Sequence, residues 1–326
     1  MLARENTDRG PRGGRRWGLL KFAVSATLLG LVLHRFSVAG LRAELTQTCW
    51  VGLLLPFALI LLGNLLGAVQ WHWLLRSAGV GPGFGPVLRA YNIGLFFNNF
   101  TLGTVGGDVF KIWTVGRGEG AVGAVAGATV VDRMVGLAAL CALALVAAAA
   151  EMTRERVPTE QALLVAGFSL TVMGAAALLL HPRYGERLAR RVEALPLGQW
   201  SGKLHRLLNH LRDFRARPQV LNRAFVLSLV VQAARVAAHF CVGWAMGWSL
   251  HATDLLKFFL VIPILGLVIS LPISVGGWGV REWAGIALFA PLGHAGEEAV
   301  ALLALTATLT LAASLGGAVA LVWRTR

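Results

Sequence analysis

The chain has 326 residues, of which 56% are hydrophobic and 14% are charged, and its mean hydropathy is +0.66. Soluble domains carry about 25% charged residues, and several apolar runs here exceed the roughly 18 residues that mark a membrane span. The composition therefore excludes a soluble protein and predicts an all-α, polytopic integral membrane protein. The apolar runs are continuous, which excludes an outer-membrane barrel, whose strands alternate with period two.

The net charge of +14 does not indicate a nucleic-acid partner. The basic residues cluster in the amino-terminal tail and in one central loop, both beside membrane spans, where such clusters set orientation and meet anionic head groups. The three cysteines match no metal or redox spacing, and the eight histidines form no ligand set. We therefore predict no cofactor, no metal site and no nucleic acid.

Residues 1–16 form a basic tail, and residues 17–326 form a single transmembrane domain. The first apolar segment resembles a signal peptide, but no cleavage site follows it, so we predict an uncleaved span. Two regions, 87–118 and 254–293, are apolar at both ends and broken in the middle by glycine and charge. The six predicted full spans are about 17–34, 50–75, 120–150, 161–181, 222–249 and 298–323.

Basic residues orient these spans. The tail, the loop from His181 to Arg223 and the carboxyl end are rich in Lys and Arg, and the loop alone holds ten of them against three Asp and Glu. If each broken region enters and leaves on one face as a re-entrant pair of half-helices, all three basic segments are cytoplasmic, as the positive-inside rule requires. If each broken region crosses once, the basic loop falls outside. Charge therefore favours re-entry, with both termini cytoplasmic.

The order of segments repeats. Each half reads span, span, broken region, span, with the first copy at about 17–150 and the second at about 161–323, and a basic cytoplasmic loop at 182–222 lies within the second. Val105-Gly106-Gly107 corresponds to Val275-Gly276-Gly277. An odd number of full spans per copy places the copies in opposite orientations. We therefore predict an inverted repeat that binds its ligand near the midplane, at the broken helices.

Glycine and charge stand side by side in both broken regions. Glycine accepts positive φ and lets another backbone or a ligand approach closely, while the free amides that open a half-helix attract anions. We therefore predict a lipid head-group site, in which two cations meet a phosphate. Close packing of helices alone is the open alternative. The predicted residues are Gly103, Gly106, Gly107, Asp108 and Lys111 in the first region and Gly276, Gly277, Gly279, Arg281 and Glu282 in the second.

The charged residues of the two regions differ in spacing. Asp108 and Lys111 are three apart, so they can share a helical face. Arg281 and Glu282 are adjacent, so we expect one to face the cavity and the other to tie down the helix end.

Further polar residues support the site. Asn98 and Asn99 can satisfy carbonyls freed by the first break or contact the ligand. Asp132 and Arg133 belong to the site or serve as interface anchors, while Arg235 and His239 share a helical face with Gln232. Four tryptophans suit interfacial belts and receive no function: Trp71, Trp73, Trp244 and Trp248.

At these residues the chain resembles the lysylphosphatidylglycerol synthase transmembrane-region family, also called flippase-like, over about residues 17–323. The family pattern has an asparagine-rich approach to Pro-Gly-x-x-Gly-Gly-Asp and then a basic residue, matched here by Asn98, Asn99, Gly103, Gly106, Gly107, Asp108 and Lys111. A following Asp-Arg corresponds to Asp132 and Arg133. The late Pro-x-x-x-Gly-Gly-x-Gly-x-Arg-Glu element corresponds to Pro272, Gly276, Gly277, Gly279, Arg281 and Glu282.

Two positions depart from the family pattern. Leu102 stands where proline is usual, which leaves the break to glycine alone. Lys111 stands where arginine is usual, which keeps the charge but loses a bidentate phosphate fork.

The resemblance implies a bacterial-type protein of the cell (inner) membrane that flips or presents lipids. The family's multiple peptide resistance members carry a separate soluble catalytic domain. We expect none in this protein, and therefore neither lysyl-lipid synthesis nor another enzyme activity. Our first hypothesis is a translocator of a phospholipid or polyisoprenoid-linked lipid. The alternatives are a non-transporting membrane partner of a glycosyltransferase or lipid-modifying enzyme, and a lipid-linked transferase that uses Asp108 or Glu282.

Overall fold

A computed structural model of the chain describes residues 44–101, 105–154, 159–193, 201–270, 274–294 and 296–323. Within these ranges the protein is helical and contains no β-strand, which confirms the all-α class. The predicted tail 1–16 and the predicted span 17–34 lie outside the described residues. The helices are α1 Leu54–Ser77, α2 Phe84–Asn98, α3 Val105–Gly118, α4 Val122–Thr153, α5 Thr159–Leu180, α6 Pro182–Glu193, α7 Ser201–Arg215, α8 Pro218–Ala245, α9 Leu255–Ser270, α10 Val280–Phe289 and α11 Glu297–Trp323.

Six helical segments of the described chain are long and apolar enough to cross a membrane. Five of them coincide with predicted spans. The sixth, Ala252–Ser270, lies in the second broken region, where the sequence predicts no full span. Its length is not predicted because Pro263 and charged residues interrupt the apolar pattern. Asp254 and Lys257 pair with each other at 2.9 Å near the start of this segment. The six segments are Val51–Ser77, Val122–Thr153, Ala162–Leu180, Pro218–Ala245, Ala252–Ser270 and Glu297–Gly317.

The two broken regions fold as helical hairpins, α2 with α3 and α9 with α10. Helices α2, α3 and α10 have 15, 14 and 10 residues, so at about 1.5 Å per residue each is shorter than the roughly 30 Å hydrocarbon core. The open ends of the second hairpin lie together, because the rings of Phe258 and Phe289 are 5.5 Å apart. Re-entry into the bilayer stays a prediction, since Ala252–Ser270 has the length of a span.

The two halves of the chain run in opposite directions. Helices α1 and α8 are equivalent in the repeat and pack against each other as an antiparallel pair. The Cys49 amide, just before α1, donates to the Ala245 carbonyl at the end of α8 at 2.7 Å. At the other end, the Arg217 guanidinium donates to the Ser77 carbonyl. This antiparallel relation between equivalent helices is the geometry of an inverted repeat.

Equivalent contacts recur throughout the repeat. Helix α2 packs on α11, and its counterpart α9 packs on α4. Both pairs are antiparallel. In the first, Gly317 lies against Asn92 while Ser314 contacts Asn99. In the second, Gly266 lies against Leu140, while Leu260 joins an apolar cluster with residues later in α4.

Apolar clusters lie at the two ends of the bundle. One contains Trp71 and Leu74 near the end of α1, together with Ala224 near the start of α8. The other contains Leu53, before α1, and Val242, near the end of α8. The central turns of α1 and α8, and the two breaks, therefore lie between two packed apolar ends.

Candidate functional site

The two breaks touch each other through their backbones. The amide of Gly276 donates to the carbonyl of Thr101, the last described residue before α3, at 2.8 Å. A methyl group at Gly276 would overlap the carbonyl oxygen of Asn99. Residues 175 positions apart in equivalent regions thus meet in one place, and only glycine permits the approach.

The glycines of the second break serve its backbone conformation. Gly276, Gly277 and Gly279 have φ of 57°, 79° and 82°, in the left-handed region that other residues adopt at a cost of about 1–2 kcal/mol. The chain therefore reverses sharply before α10. The Glu282 carboxylate closes this turn by accepting the Gly279 amide at 2.7 Å.

The glycines of the first break serve a different purpose. Gly106 and Gly107 lie in the first turn of α3 rather than in the break, and neither has positive φ. Side chains there would collide, since a methyl at Gly107 would overlap the Gly94 carbonyl and one at Gly106 would overlap Thr101. Gly103 lies outside the described residues. Glycine therefore brings α2 and α3 into backbone contact.

The two asparagines before the break have separate roles. The Asn98 side chain caps α3, because its carbonyl oxygen accepts the Gly107 amide at 2.9 Å. This differs from the prediction that it would satisfy a freed carbonyl. The Asn99 amide group does so, donating to the Leu95 carbonyl at 3.0 Å and to the Ser314 hydroxyl at 3.3 Å. The amides that open α3 are thus partly capped by the chain itself.

Asp108 joins two cations inside the bundle. Its carboxylate lies 2.9 Å from Lys111 Nζ and 2.7 Å from Arg133 Nε, which confirms that Asp108 and Lys111 share a face. Lys111 is only 4% exposed, and its ammonium lies 5.0 Å from the ring centre of Trp71 and 4.8 Å from that of Tyr91. Cation–π contacts of this kind are worth about 0.5–2 kcal/mol.

Asp132 extends this cluster across three helices. Gln70 of α1 donates to its carboxylate at 2.9 Å, and Ser228 of α8 donates to the Gln70 carbonyl oxygen at 2.8 Å. These contacts lie inside the bundle and involve Asp132, whereas the Arg133 side chain is 43% exposed while it pairs with Asp108. A role of Arg133 as an interface anchor therefore stays an alternative prediction.

Sequence reasoning missed the aromatic and amide partners of this cluster. Trp71 was assigned to an interfacial belt, yet it is 0% exposed and donates to the Thr129 hydroxyl at 3.1 Å. Trp248 is also buried, whereas Trp73 and Trp244 are exposed as predicted. The available signal was Gln70, an amide beside Trp71 in the middle of an apolar run, where an unpaired polar group is costly.

The second charged pair lies at the start of α10. Arg281 Nη2 is 2.6 Å from the Glu282 carboxylate, and its guanidinium carbon is 4.5 Å from the ring centre of Trp278. The expectation that these adjacent residues point apart is wrong, because the long arginine side chain folds back onto Glu282. Glu282 does tie down the helix end, as predicted, and is 2% exposed. Pro272 lies outside the described residues.

Arg235 and His239 lie on α8, on the inner side of the same bundle. His239 Nδ1 is 2.8 Å from the Arg235 carbonyl oxygen, so this nitrogen carries a proton. Gln232 donates to the Gly136 carbonyl at 3.0 Å. Arg235 is partly buried, with its aliphatic stem against Gly63 of α1. In the described part of the chain, no carboxylate forms an ion pair with it.

The family model for the lysylphosphatidylglycerol synthase TM region matches residues 18–318. The chain belongs to this family. The match spans both breaks, both charged pairs and every helix that positions them, and it confirms the resemblance of the motifs. Membership and the apolar helices together make the chain a multi-pass membrane protein.

A curated relative extends the likeness. A UPF0104 membrane protein of Methanothermobacter thermautotrophicus (strain Delta H) is 24% identical over 312 residues, which cover 89% of this chain and 88% of that protein. Its name states a membrane location and no activity. The similarity runs over nearly the whole length of both proteins, so it concerns the complete transmembrane unit of the family.

Proposed function

We propose that this protein is a membrane lipid translocator, in which the head group crosses the bilayer at the junction of the two breaks. The observation that carries this proposal is the backbone contact between Gly276 and Thr101. It joins two interrupted helices from oppositely directed halves, each of which begins with charged side chains. A phosphate-bearing head group needs polar partners in the hydrocarbon core, and this junction concentrates them.

The charged pairs supply partners that can be exchanged. Lys111 is bound to Asp108, and Arg281 to Glu282. A phosphate entering the junction competes with these carboxylates for the cations, so Lys111 and Arg281 keep an anionic partner throughout. Leaving either cation without a partner would cost about 2.5–3.5 kcal/mol on insertion scales. Asp108 and Glu282 then select a cationic head group or carry a proton.

The inverted repeat supplies a route to both faces. The two hairpins belong to halves of the chain that run in opposite directions. A movement that opens one hairpin to one face of the membrane therefore has an equivalent movement that opens the other hairpin to the opposite face. Basic loops place both termini and the 182–222 segment in the cytoplasm, and in a bacterial cell the membrane is the inner one. The first hairpin then opens to the cytoplasm and the second to the outside.

An apolar cavity lies beside the charged cluster. It has a volume of about 210 Å³, begins at Met134, next to Arg133, and lies between α4, α5 and α8. Its walls are apolar apart from Asn222. An acyl chain is apolar like the walls of this cavity. We propose that the hydrocarbon tail of a lipid enters the cavity while its head group lies at the junction.

The test uses purified protein in liposomes with fluorescent phosphatidylglycerol, whose inner-leaflet fraction is measured with a membrane-impermeant quencher. We expect wild-type protein to move the lipid, and Lys111→Ala or Arg281→Ala to abolish movement while the protein elutes as folded. The matched control is Lys257→Ala, since Lys257 pairs with Asp254 at 2.9 Å with the same three-residue spacing, but near the start of its span. Unchanged movement in both site variants would contradict the proposal.

A further inference from the structure

Arg235 differs from the three cations that pair with carboxylates at the two charged pairs and at Asp108. Lys111, Arg133 and Arg281 each lie within 3 Å of a carboxylate. Arg235 has no such partner among the described residues. We propose that Arg235, in addition to Lys111 and Arg281, binds the phosphate of a lipid head group, an inference that rests on the proposed function and names the chemical class of its ligand.

The undescribed residues contain no Asp or Glu within the predicted spans. Their carboxylate side chains would have to come from the terminal tail or from loops, because residues 17–43 contain neither Asp nor Glu. The same is true of 102–104 and 271–273, at the two breaks. The acidic side chains that the structure does not describe are Glu5, Asp8, Glu155 and Glu193, all outside the predicted spans.

The depth of Arg235 makes its charge significant. It lies ten residues before Ala245, the end of the 28-residue helix α8, which corresponds to about 15 Å along the axis. Side chains on a helix lean towards its amino terminus, so the guanidinium leans towards the middle of α8 and away from the nearer end. Snorkelling to that interface therefore runs against the direction of the side chain.

Among the described residues, the neighbours of Arg235 take up none of the donors of its guanidinium. The aliphatic stem of Arg235 lies directly against Gly63 of α1. A methyl group at Gly63 would be in ordinary contact with Arg235 Cγ at 3.8 Å, and a larger side chain would take the place of the stem. His239 uses Nδ1 on the Arg235 backbone carbonyl, and Gln232 donates to Gly136. The side chain thus keeps its planar fork of donors, which matches two phosphate oxygens.

The charge of Arg235 calls for an anion as its partner. Lys111, Arg133 and Arg281 are each compensated by a carboxylate within 3 Å. A singly charged phosphodiester would compensate Arg235 in the same way, whereas a neutral lipid such as diacylglycerol would not.

The binding test uses wild-type protein in a neutral detergent, titrated with dioctanoyl phosphatidylglycerol and followed by tryptophan fluorescence or thermal shift. Dioctanoylglycerol provides the same chains without phosphate, and glycerol 3-phosphate provides the phosphate without chains. We expect binding of the phospholipid only. Arg235→Gln should weaken it by about tenfold or more, and Arg235→Lys by less, since a charge remains without the fork.

Two further variants make the test decisive. Arg223→Gln removes the same charge from an exposed position on α8 and should leave binding unchanged. Gly63→Leu fills the space of the arginine stem and should weaken binding with Arg235 still present. Arg235→Gln should unfold at a temperature no lower than that of the wild type, because Arg235 has no carboxylate partner among the described residues. A variant that breaks an ion pair should instead unfold at a lower temperature.

Failure of this inference can be separated from failure of the proposed function. If Arg235→Gln binds the phospholipid as tightly as wild type, the assignment of Arg235 is overturned, whatever the translocation assay shows. Equal binding of glycerol 3-phosphate and the phospholipid would overturn the lipid as the source of the phosphate. If binding depends on Arg235 but wild-type liposomes move no lipid, the anion site stands and the translocator is wrong.

Discussion

Gly276 and Thr101 lie in the two interrupted regions of the repeat, and the Gly276 amide is hydrogen-bonded to the Thr101 carbonyl at 2.8 Å. Because the two halves are inverted, this contact brings together chain segments that approach from opposite ends of the bundle. A polar zone is thereby enclosed between two apolar ends, and the charged starts of α3 and α10 are held near each other.

Gly276→Ala should reduce stability by about 2 kcal/mol or more, since left-handed φ strains alanine and the methyl group overlaps the Asn99 carbonyl. Thermal unfolding in detergent measures this loss. Gly293→Ala is the control, because Gly293 has φ of 86° but open space around it, so it tests the strain alone. Equal losses in the two variants would show that the contact between the breaks contributes nothing.

Gly107→Ala should destabilise the hairpin of α2 and α3, although alanine is the better helix former by about 0.5–1 kcal/mol. The methyl group would overlap the Gly94 carbonyl and force the helices apart. Gly174→Ala, in the middle of α5 with no atom within 4 Å, should be neutral or stabilising. The close-packing account fails if both variants have the same melting temperature.

Much of the architecture follows from sequence because it depends on local pattern. The inverted repeat, both interrupted regions and the shared face of Asp108 and Lys111 come from hydropathy, the basic loops and helical spacing. The length of α9 is not predicted, because one proline and two charged residues interrupt its apolar sequence. In the structure these two charged residues, Asp254 and Lys257, pair with each other.

The partners within the site were harder to predict, because they join helices far apart in the chain. Gln70 binds Asp132 and Ser228 across separations of 62 and 158 residues, which no periodicity reports. Tryptophan is a residue type typical of membrane interfaces, and only the tertiary structure shows the Lys111 ammonium 5.0 Å from the ring centre of Trp71. The Arg281–Glu282 contact depends on how a long side chain folds back.

Glu282→Gln should cost about 3–5 kcal/mol, because it removes the carboxylate of a buried pair and leaves Arg281 without its partner. Glu298→Gln is the control, as the Glu298 side chain is 40% exposed beside His294 and such pairs contribute about 0–1 kcal/mol. Chemical or thermal unfolding of both variants compares them. A cost below about 1 kcal/mol at Glu282 would contradict the structural importance of the pair.

Asp108 and Lys111 should behave as a coupled pair. Asp108→Asn and Lys111→Met should each destabilise the protein, and the double variant should lose less than the sum by about 1–3 kcal/mol. Melting temperatures of the four proteins complete the cycle. Strict additivity would mean that the 2.9 Å contact carries no net energy, with Arg133 alone compensating Asp108.

The most direct test of a pathway through the junction is to lock it. In a variant without Cys49, Cys141 and Cys241, cysteines replace Thr101 and Val275 and are joined by a short reductant-cleavable bifunctional reagent. Movement of fluorescent phosphatidylglycerol is then measured in liposomes before and after reduction. We predict that the joined protein is arrested and that reduction restores movement, whereas movement by the joined protein at the unlinked rate would contradict the account.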